Sequence, residues 1–474
     1  MPNKKVIGTL LLYRKMIHSE RVNMNISSNK KVLVIGAGLA GSEAAMFLAR
    51  HGVSVVLIEG KAIKLNPAQK IPTFAELVCT NSLKSLDPTS AHGLLKSEMK
   101  AMGSFIIESA TKHAVPAGDA LAVDRELFSG EVTESLKAHP LITVVDREAV
   151  DPFALKEEFN ADYIIIATGP LTSKPLEEWI TKEISGDDFY FYDAIAPVVD
   201  ADTLNLDKMY FKDRHKDIEA GGDYLNAPMT KEEYYAFVDE LVKAEKVQPK
   251  EFEDWKFFES CLPIDLMAER GPDTARFSCM KPVGLEPDIN GKWPYAVVQL
   301  RKENLLGSAY NLVGFQTRLT YKEQVRVFRM IPGLEEASFI HLGSCHRNSF
   351  LNARKLLEFD LSSKKHPELY FAGQITGVEG YTESASMGLY VAFQILRKIE
   401  GKSAMQFPVE TAIGALVNYI MTIEKPCPSN INFGLLPSIE LTKEQRKKDR
   451  KKVKKELVSK RAQDVFQSFY SSLS

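Results

Sequence analysis

Apolar and polar positions change period several times along this chain, and the clearest change falls between Lys31 and Glu59. Lys31–Ile35 (KVLVI) is an apolar, β-branched run that predicts a strand. GAGLAG follows at Gly36–Gly41, then a helical stretch Ser42–Arg50, a stop at His51-Gly52 and a second apolar run Val53–Ile58 that closes on Glu59. Strand, glycine-rich turn, helix, strand and acid is the order of a βαβ unit. Residues 61–125 lack clean periodicity and carry Pro67, Pro72, Pro88 and Pro116, which predicts loops and short helices. Further strands are expected at Leu141–Val145, Tyr163–Ile166 and Tyr370–Phe371, and helices at Lys231–Glu245 and Thr382–Ile399.

Length sets the next bound. With 474 residues the chain is too long for one core, so two or three domains are expected. Residues 187–300 change character, with many aromatics and several prolines, while the pattern after Ala372 returns to that of the first part. A first domain interrupted by a second is therefore expected. The formal net charge of −2 gives no support to nucleic-acid binding by the molecule as a whole, so only the placement of the basic residues is informative. They crowd into Lys443–Arg461, which reads either as a solvated helix or disordered end, or as a nucleic-acid contact.

The five cysteines, Cys79, Cys261, Cys279, Cys345 and Cys427, are widely spaced and form no CxxC pair. That argues against a disulfide framework or a zinc site, so no metal is expected, and it fits a reducing cytoplasm. No apolar run approaches the roughly 18 residues a membrane-spanning helix needs. Residues 1–29 read as a disordered or mis-started leader, with Met24 as an alternative start.

The glycine turn carries the first chemistry. Gly36 permits the tight turn, Gly38 lets the backbone approach a pyrophosphate, and Gly41 lets the helix pack on the strand, with Ala37, Leu39 and Ala40 between them. The first helical N–H groups and the helix dipole then meet the phosphate charge. Glu59, at the end of the second strand, is placed to accept hydrogen bonds from ribose hydroxyls. Two later segments choose FAD over NAD. Ala161–Gly169 is an apolar strand ending in Ala167-Thr168-Gly169, and Leu369–Gln374 is a strand ending in Gly373-Gln374 before a helix-forming stretch. Both patterns resemble flavoproteins whose first domain holds FAD. No second GxGxxG is present, so an NAD(P)H would bind by another surface.

The expected fold class is thus α/β, a Rossmann-like FAD-binding domain with an inserted α/β domain. The expected boundaries are 30–185 for the first part of the FAD-binding domain, 186–325 for the inserted substrate or RNA domain, 326–440 for the completing part, and 441–474 for the basic tail.

A closer resemblance covers Lys31 to Pro437. Glu76–Leu83 (ELVCTNSL), Gly93–Lys96, Val115–Gly118, Ala122–Arg125 and Tyr224–Met229 resemble the folate-dependent tRNA uracil-5-methyltransferases of the TrmFO type. So do Cys261–Ile264, Met280–Leu285, Val313–Thr317, Phe328–Leu334, His346–Asn348, Phe371–Tyr381 and Ile431–Pro437, in order. The resemblance implies an enzyme that reduces FAD with NAD(P)H, takes a one-carbon unit from methylenetetrahydrofolate and places it as a methyl group on C5 of a T-loop uridine in tRNA. It implies a bacterial cytoplasmic protein related to the larger flavoproteins that modify the wobble uridine.

Uracil C5 is a poor nucleophile until something adds at C6, and a thiolate suits that task. Cys261 matches the family position assigned here as the nucleophile on C6, and Cys79 the position near the flavin, for removing the C5 proton. The two roles are exchangeable at this level, and shielding or tethering a one-carbon unit is another use for Cys79. Cys279, Cys345 and Cys427 read as structural, and Ala227, where the family often carries Cys, as silent. His346-Arg347-Asn348, Arg125 and Lys281, the acids of Gly377–Glu383, and Trp293 with Tyr295 are weaker candidates for contacts to flavin, folate or RNA, each with a structural reading beside it. Two alternatives stay open: the same chemistry on a ribosomal RNA uridine, and a flavoprotein that binds tRNA and folate without methylating.

Overall fold

Five apolar runs line up as a parallel sheet in the order Leu369–Phe371, Tyr163–Ile166, Lys31–Ile35, Ser54–Glu59, Ile142–Asp146. The computed structural model describes residues 30–473 other than 67, 187–190, 217–221, 248–261, 287, 289, 303–308, 425–427, 443–444 and 446–449. The strands read as continuous hydrophobic stretches because helices cover both faces of such a sheet. In register, Ile35 is paired with Ile58 and Ile166, and Ile166 with Phe371. Gly36, Ala167 and Ala372 therefore emerge side by side at the carboxyl edge, where open α/β sheets bind their ligands.

The helix Leu39–Arg50 follows the glycine turn, and the helix Tyr381–Ile399 packs across it. The approach is close: a Cβ on Gly388 would stand 2.1 Å from Ala40 O. This packing brings the start of the long helix, Tyr381, to the sheet edge.

Residues 61–125, expected as loops and short helices, also contain a three-stranded sheet of Ser82–Ser85, Ala120–Val123 and Ala114–Val115. The helices Ala91–Ala101 and Phe105–Lys112 are each capped by a serine, Ser90 and Ser104. Strand propensity in two- to four-residue pieces leaves no periodicity to read, which is why the pattern missed them.

A second core lies under a six-stranded antiparallel sheet, ordered Tyr210–Phe211, Tyr224–Met229, Ala296–Lys302, Ala309–Leu312, Val198–Asp200, Phe339–His341. The helix Lys231–Lys243 buries Tyr234, Phe237, Val238 and Leu241 against it and begins in a capping box of Thr230 and Glu233. The strands Phe191–Ile195 and Ser344–Asn348 pair as an antiparallel ribbon where the chain leaves and returns. The Rossmann-like sheet with an inserted α/β unit expected from the pattern is the fold observed. The expected boundary at 325 runs through the helix Tyr321–Phe328, and Val327, Phe328, Ile331, Leu334 and Ala337 all pack in the second core.

Candidate functional site

A cavity of about 660 Å³ opens at the carboxyl edge of the parallel sheet. Gly36, Gly38, Leu39, Ala40, Glu59, Thr168, Gly169, Gly373 and Gln374 all line it. Gly36 has φ +98° and donates its N–H to Ile58 O at 2.8 Å; a Cβ there would meet Ala167 O at 2.7 Å. No L side chain is tolerated in that turn. At Gly38 a Cβ would have only Ala167 O nearby, at 3.9 Å, so the space left by the missing side chain belongs to the cavity. No side chain caps the helix that starts after Gly38, so its positive end faces the cavity through Gly38, Leu39 and Ala40.

Ala37 and Gly41 do not line the cavity but hold its wall. The Ala37 N–H donates to Glu59 Oε2 at 2.6 Å, while Lys61 N–H donates to Oε1 at 2.9 Å. The Glu59 carboxylate is thereby fixed at the rim with lone pairs to spare. A Cβ on Gly41 would stand 1.8 Å from Gly36 O, so helix and turn touch backbone to backbone. The Thr168 hydroxyl bonds that of Thr172 at 2.7 Å, and Gly373 opens the short turn Gln374–Thr376. An uncapped helix start, an open glycine, a positioned acid and two glycine-ended strands fit a dinucleotide with its pyrophosphate at the helix and its ribose at Glu59.

Cys79 is not among the lining residues, but its neighbour Val78 and its backbone partner Tyr381 are. Lys61 and Glu76 form a buried ion pair at 2.7 Å, and Lys61 Nζ also donates to Thr73 O at 2.7 Å. That pair pins the loop whose Val78 lines the cavity. The Tyr381 hydroxyl, also on the cavity wall, accepts the N–H of Cys79 at 2.6 Å and of Thr80 at 3.1 Å. Arg125 Nη2 donates to Cys79 O at 3.2 Å. Burial pushes the Tyr381 phenol far above its ordinary range, so it stays protonated. Cys79 is thus held next to the cavity wall through its backbone, by a tyrosine and an arginine distant in sequence.

Cys261 lies outside the described residues. The structure resumes at Leu262, and the helix Ile264–Arg270 is anchored by Asp265, which accepts from Thr317 Oγ1 at 3.1 Å, Arg318 N at 2.9 Å and Arg318 Nε at 2.6 Å. Thr317 belongs to one of the runs that carry the family resemblance.

Comparison with known proteins identifies the family and the fold. Residues 31–403 match the family described as GIDA, glucose inhibited division protein A. The chain is 50% identical over 446 residues to a methylenetetrahydrofolate–tRNA-(uracil-5-)-methyltransferase TrmFO of Enterococcus faecalis, covering 94% of this chain and 99% of that protein. It is 49% identical to the protein of that name from Aquifex aeolicus, covering 93% and 96%. The chain belongs to the TrmFO family. Among solved structures, Aquifex aeolicus GidA superposes with a TM-score of 0.64 at 15% identity, over 94% of this chain and 74% of that one, a likeness of fold.

The remaining sequence candidates of this TrmFO-family chain fall in several places. Arg125 holds the Cys79 carbonyl, whereas the Lys281 carbonyl accepts from Arg214 in the inserted unit. His346, Arg347 and Asn348 pair as backbone with Asp193, Tyr192 and Phe191. Tyr295 is bound into a cluster with Tyr234 and Tyr235, its hydroxyl 2.9 Å from that of Tyr235, while Trp293 is 72% exposed. Of the acids, Glu383 is buried and faces His92 Nδ1 at 3.3 Å; burial opposes its charge, but His92 and Lys84 hold its carboxyl below the ordinary range. Burial pushes the Cys279 thiol up to about 12, which makes it inert as a nucleophile near neutral pH. Cys427 lies outside the described residues. Sequence reasoning missed Tyr381 and Asn81. Asn81 joins the two cores: its Nδ2 donates to Lys302 O at 2.5 Å and to Val123 O at 3.2 Å, and its Oδ1 accepts from Arg301 Nε at 2.9 Å. Both residues lie inside runs that carry the resemblance, which was the available signal.

Among the described residues no helix is long and apolar enough to cross a membrane, and no group of three or more His, Cys, Asp and Glu is arranged to hold a metal.

Proposed function

We propose that this chain is a folate-dependent tRNA uracil-5-methyltransferase that forms 5-methyluridine at the T-loop uridine, in the cytoplasm, with NAD(P)H as reductant. The observation that carries this reading is the half-identity extending over nearly the whole of proteins so named. FAD bound in the cavity and reduced by NAD(P)H would supply the two electrons that bring the folate methylene unit to the methyl level. The chain's own residues do the rest. Glu59 would hold the ribose hydroxyls, and the uncapped helix start at Gly38–Ala40 would meet the pyrophosphate charge. Thr168-Gly169 and Gly373-Gln374, on the same cavity wall, would hold the rest of the flavin nucleotide. The Cys261 thiolate forms a bond to uracil C6, which pushes the ring electrons to C5 and makes it nucleophilic. Once C5 has bonded the one-carbon unit, the Cys79 thiolate takes the C5 proton as that carbon parts from the folate nitrogen; a hydride equivalent from the reductant then reaches the carbon as the C6–S bond breaks, which releases the Cys261 thiolate and restores the ring. Tyr381 and Arg125 position Cys79 by fixing its backbone. The six-stranded inserted unit is read as the RNA side of the site.

The test is a methylation assay with unmodified tRNA transcript, FAD-loaded protein, NADPH and methylenetetrahydrofolate, without S-adenosylmethionine. Mass spectrometry of the digested RNA should find 5-methyluridine in the T loop. Cys261→Ala should abolish it, and Cys79→Ala should slow it by about a hundredfold or more, the usual worth of a proton-transfer group. A protein with reducible flavin that leaves tRNA unmethylated sinks the reading; methyl on ribosomal RNA instead would move the same chemistry to that substrate.

A further inference from the structure

We propose that the N-terminal half of the helix Arg450–Ser471 is a docking surface for the phosphate backbone of the tRNA; the inference rests on the RNA chemistry proposed above. Residues 443–461 hold eleven Lys and Arg against three acids in a chain whose net charge is −2, so the rest of the molecule is acidic on balance. A polyanion is therefore drawn to this segment rather than to the molecule at large.

The helix is fixed by its later turns. Val458, Ala462 and Phe466 are buried in the main core, and Phe407 packs on Phe469 at 4.8 Å. Arg461 donates to Pro437 O, and Gln463 Nε2 to Pro88 O at 3.4 Å. The earlier turns carry the charge: five of the first six helical residues are basic, and the first turn holds no acid. Lys454, Lys455 and Lys460 are exposed and form no ion pair among the described residues. Cations at a helix N-terminus repel each other and oppose the dipole. The fold therefore holds an electrostatically unfavourable cluster in place, and a row of phosphates relieves it.

Two anchors tie this surface to the cavity. Pro437 ends the run whose Ile431 N–H donates to Glu383, in the first turn of the helix that Tyr381 begins. Pro88 precedes the helix whose His92 faces the same Glu383. A stem-loop with its loop at the cavity can lay its stem on this helix. An anionic membrane is the other polyanion a basic helix meets, but insertion needs a free apolar face, and here that face is spent on the core.

The test uses the full-length FAD-loaded protein and the triple variant Lys454→Glu, Lys455→Glu, Lys460→Glu, with unmodified tRNA transcript. Binding is followed by fluorescence anisotropy over a salt series. The variant should bind at least tenfold more weakly at low salt, and its log–log salt slope should shrink by about 3, at close to one unit for each of the three phosphates no longer neutralised. KM for tRNA should rise while kcat at saturating tRNA holds, with flavin absorbance unchanged. Glu456→Lys, which leaves the packed face alone, should tighten binding and steepen the slope, and serves if the triple variant folds poorly. Affinity and slope unchanged from wild type in both variants would overturn the proposal. So would a triple variant that binds tRNA normally and fails only on anionic vesicles. If the wild-type protein binds tRNA with this salt dependence yet makes no 5-methyluridine, the methyltransferase reading fails and the docking surface stands.

Discussion

The two halves of the site are built on opposite principles. The dinucleotide cradle comes from short pieces of chain, each a strand that ends in a glycine, and the parallel register of Ile35, Ile166 and Phe371 assembles them. The thiol side comes from groups hundreds of residues apart: Tyr381 reaches back to the Cys79 N–H, and Asn81 reaches across to Arg301 and Lys302 of the inserted sheet. A cradle made of backbone tolerates almost no added atoms. A junction made of side chains tolerates truncation at a graded cost. The cavity wall is therefore shaped mainly by backbone, and the placement of Cys79 by side chains.

Three substitutions probe that contrast. Gly41→Val should have the largest effect, because its Cβ falls 1.8 Å from Gly36 O and only movement of the turn relieves it. Overpacking of this kind costs about 1–3 kcal/mol or more, and purified protein should carry no flavin absorbance. Retained flavin would show that the turn is not the binding wall. Asn81→Ala removes the buried acceptor of the Arg301 guanidinium, at about 2–3 kcal/mol for a charged hydrogen bond. Thermal unfolding should shift down and split into two transitions as the cores uncouple, with flavin kept at low temperature; an unshifted single transition would refute the junction. Tyr381→Phe should be the mildest, about 1–2 kcal/mol, since only the acceptor for the Cys79 and Thr80 N–H groups goes. Methyl transfer should fall by about tenfold with flavin content unchanged, and a wild-type rate would deny Tyr381 a positioning role.

Whatever is local could be read from the chain alone. The strand–turn–helix–strand–acid order from Lys31 to Glu59 was legible because each residue's role in it depends on neighbours a few positions away. The helices Lys231–Lys243 and Tyr381–Ile399 were legible because 3.6-residue periodicity survives over three turns or more. The likeness of the runs around Cys79 and Cys261 carried the family, though not the contacts within it. Packing in three dimensions settled the rest. The short strands at 82–85, 114–115 and 120–123 are stabilised by pairing with one another, not by propensity. The inserted unit extends beyond residue 325 because the helix Tyr321–Phe328 and the turns after it bury their apolar face under a sheet formed far upstream. Tyr381 and Asn81 gained their roles only when folding set them against backbone N–H and C=O groups distant in the chain, and no spacing along a sequence encodes a hydrogen bond that packing alone creates.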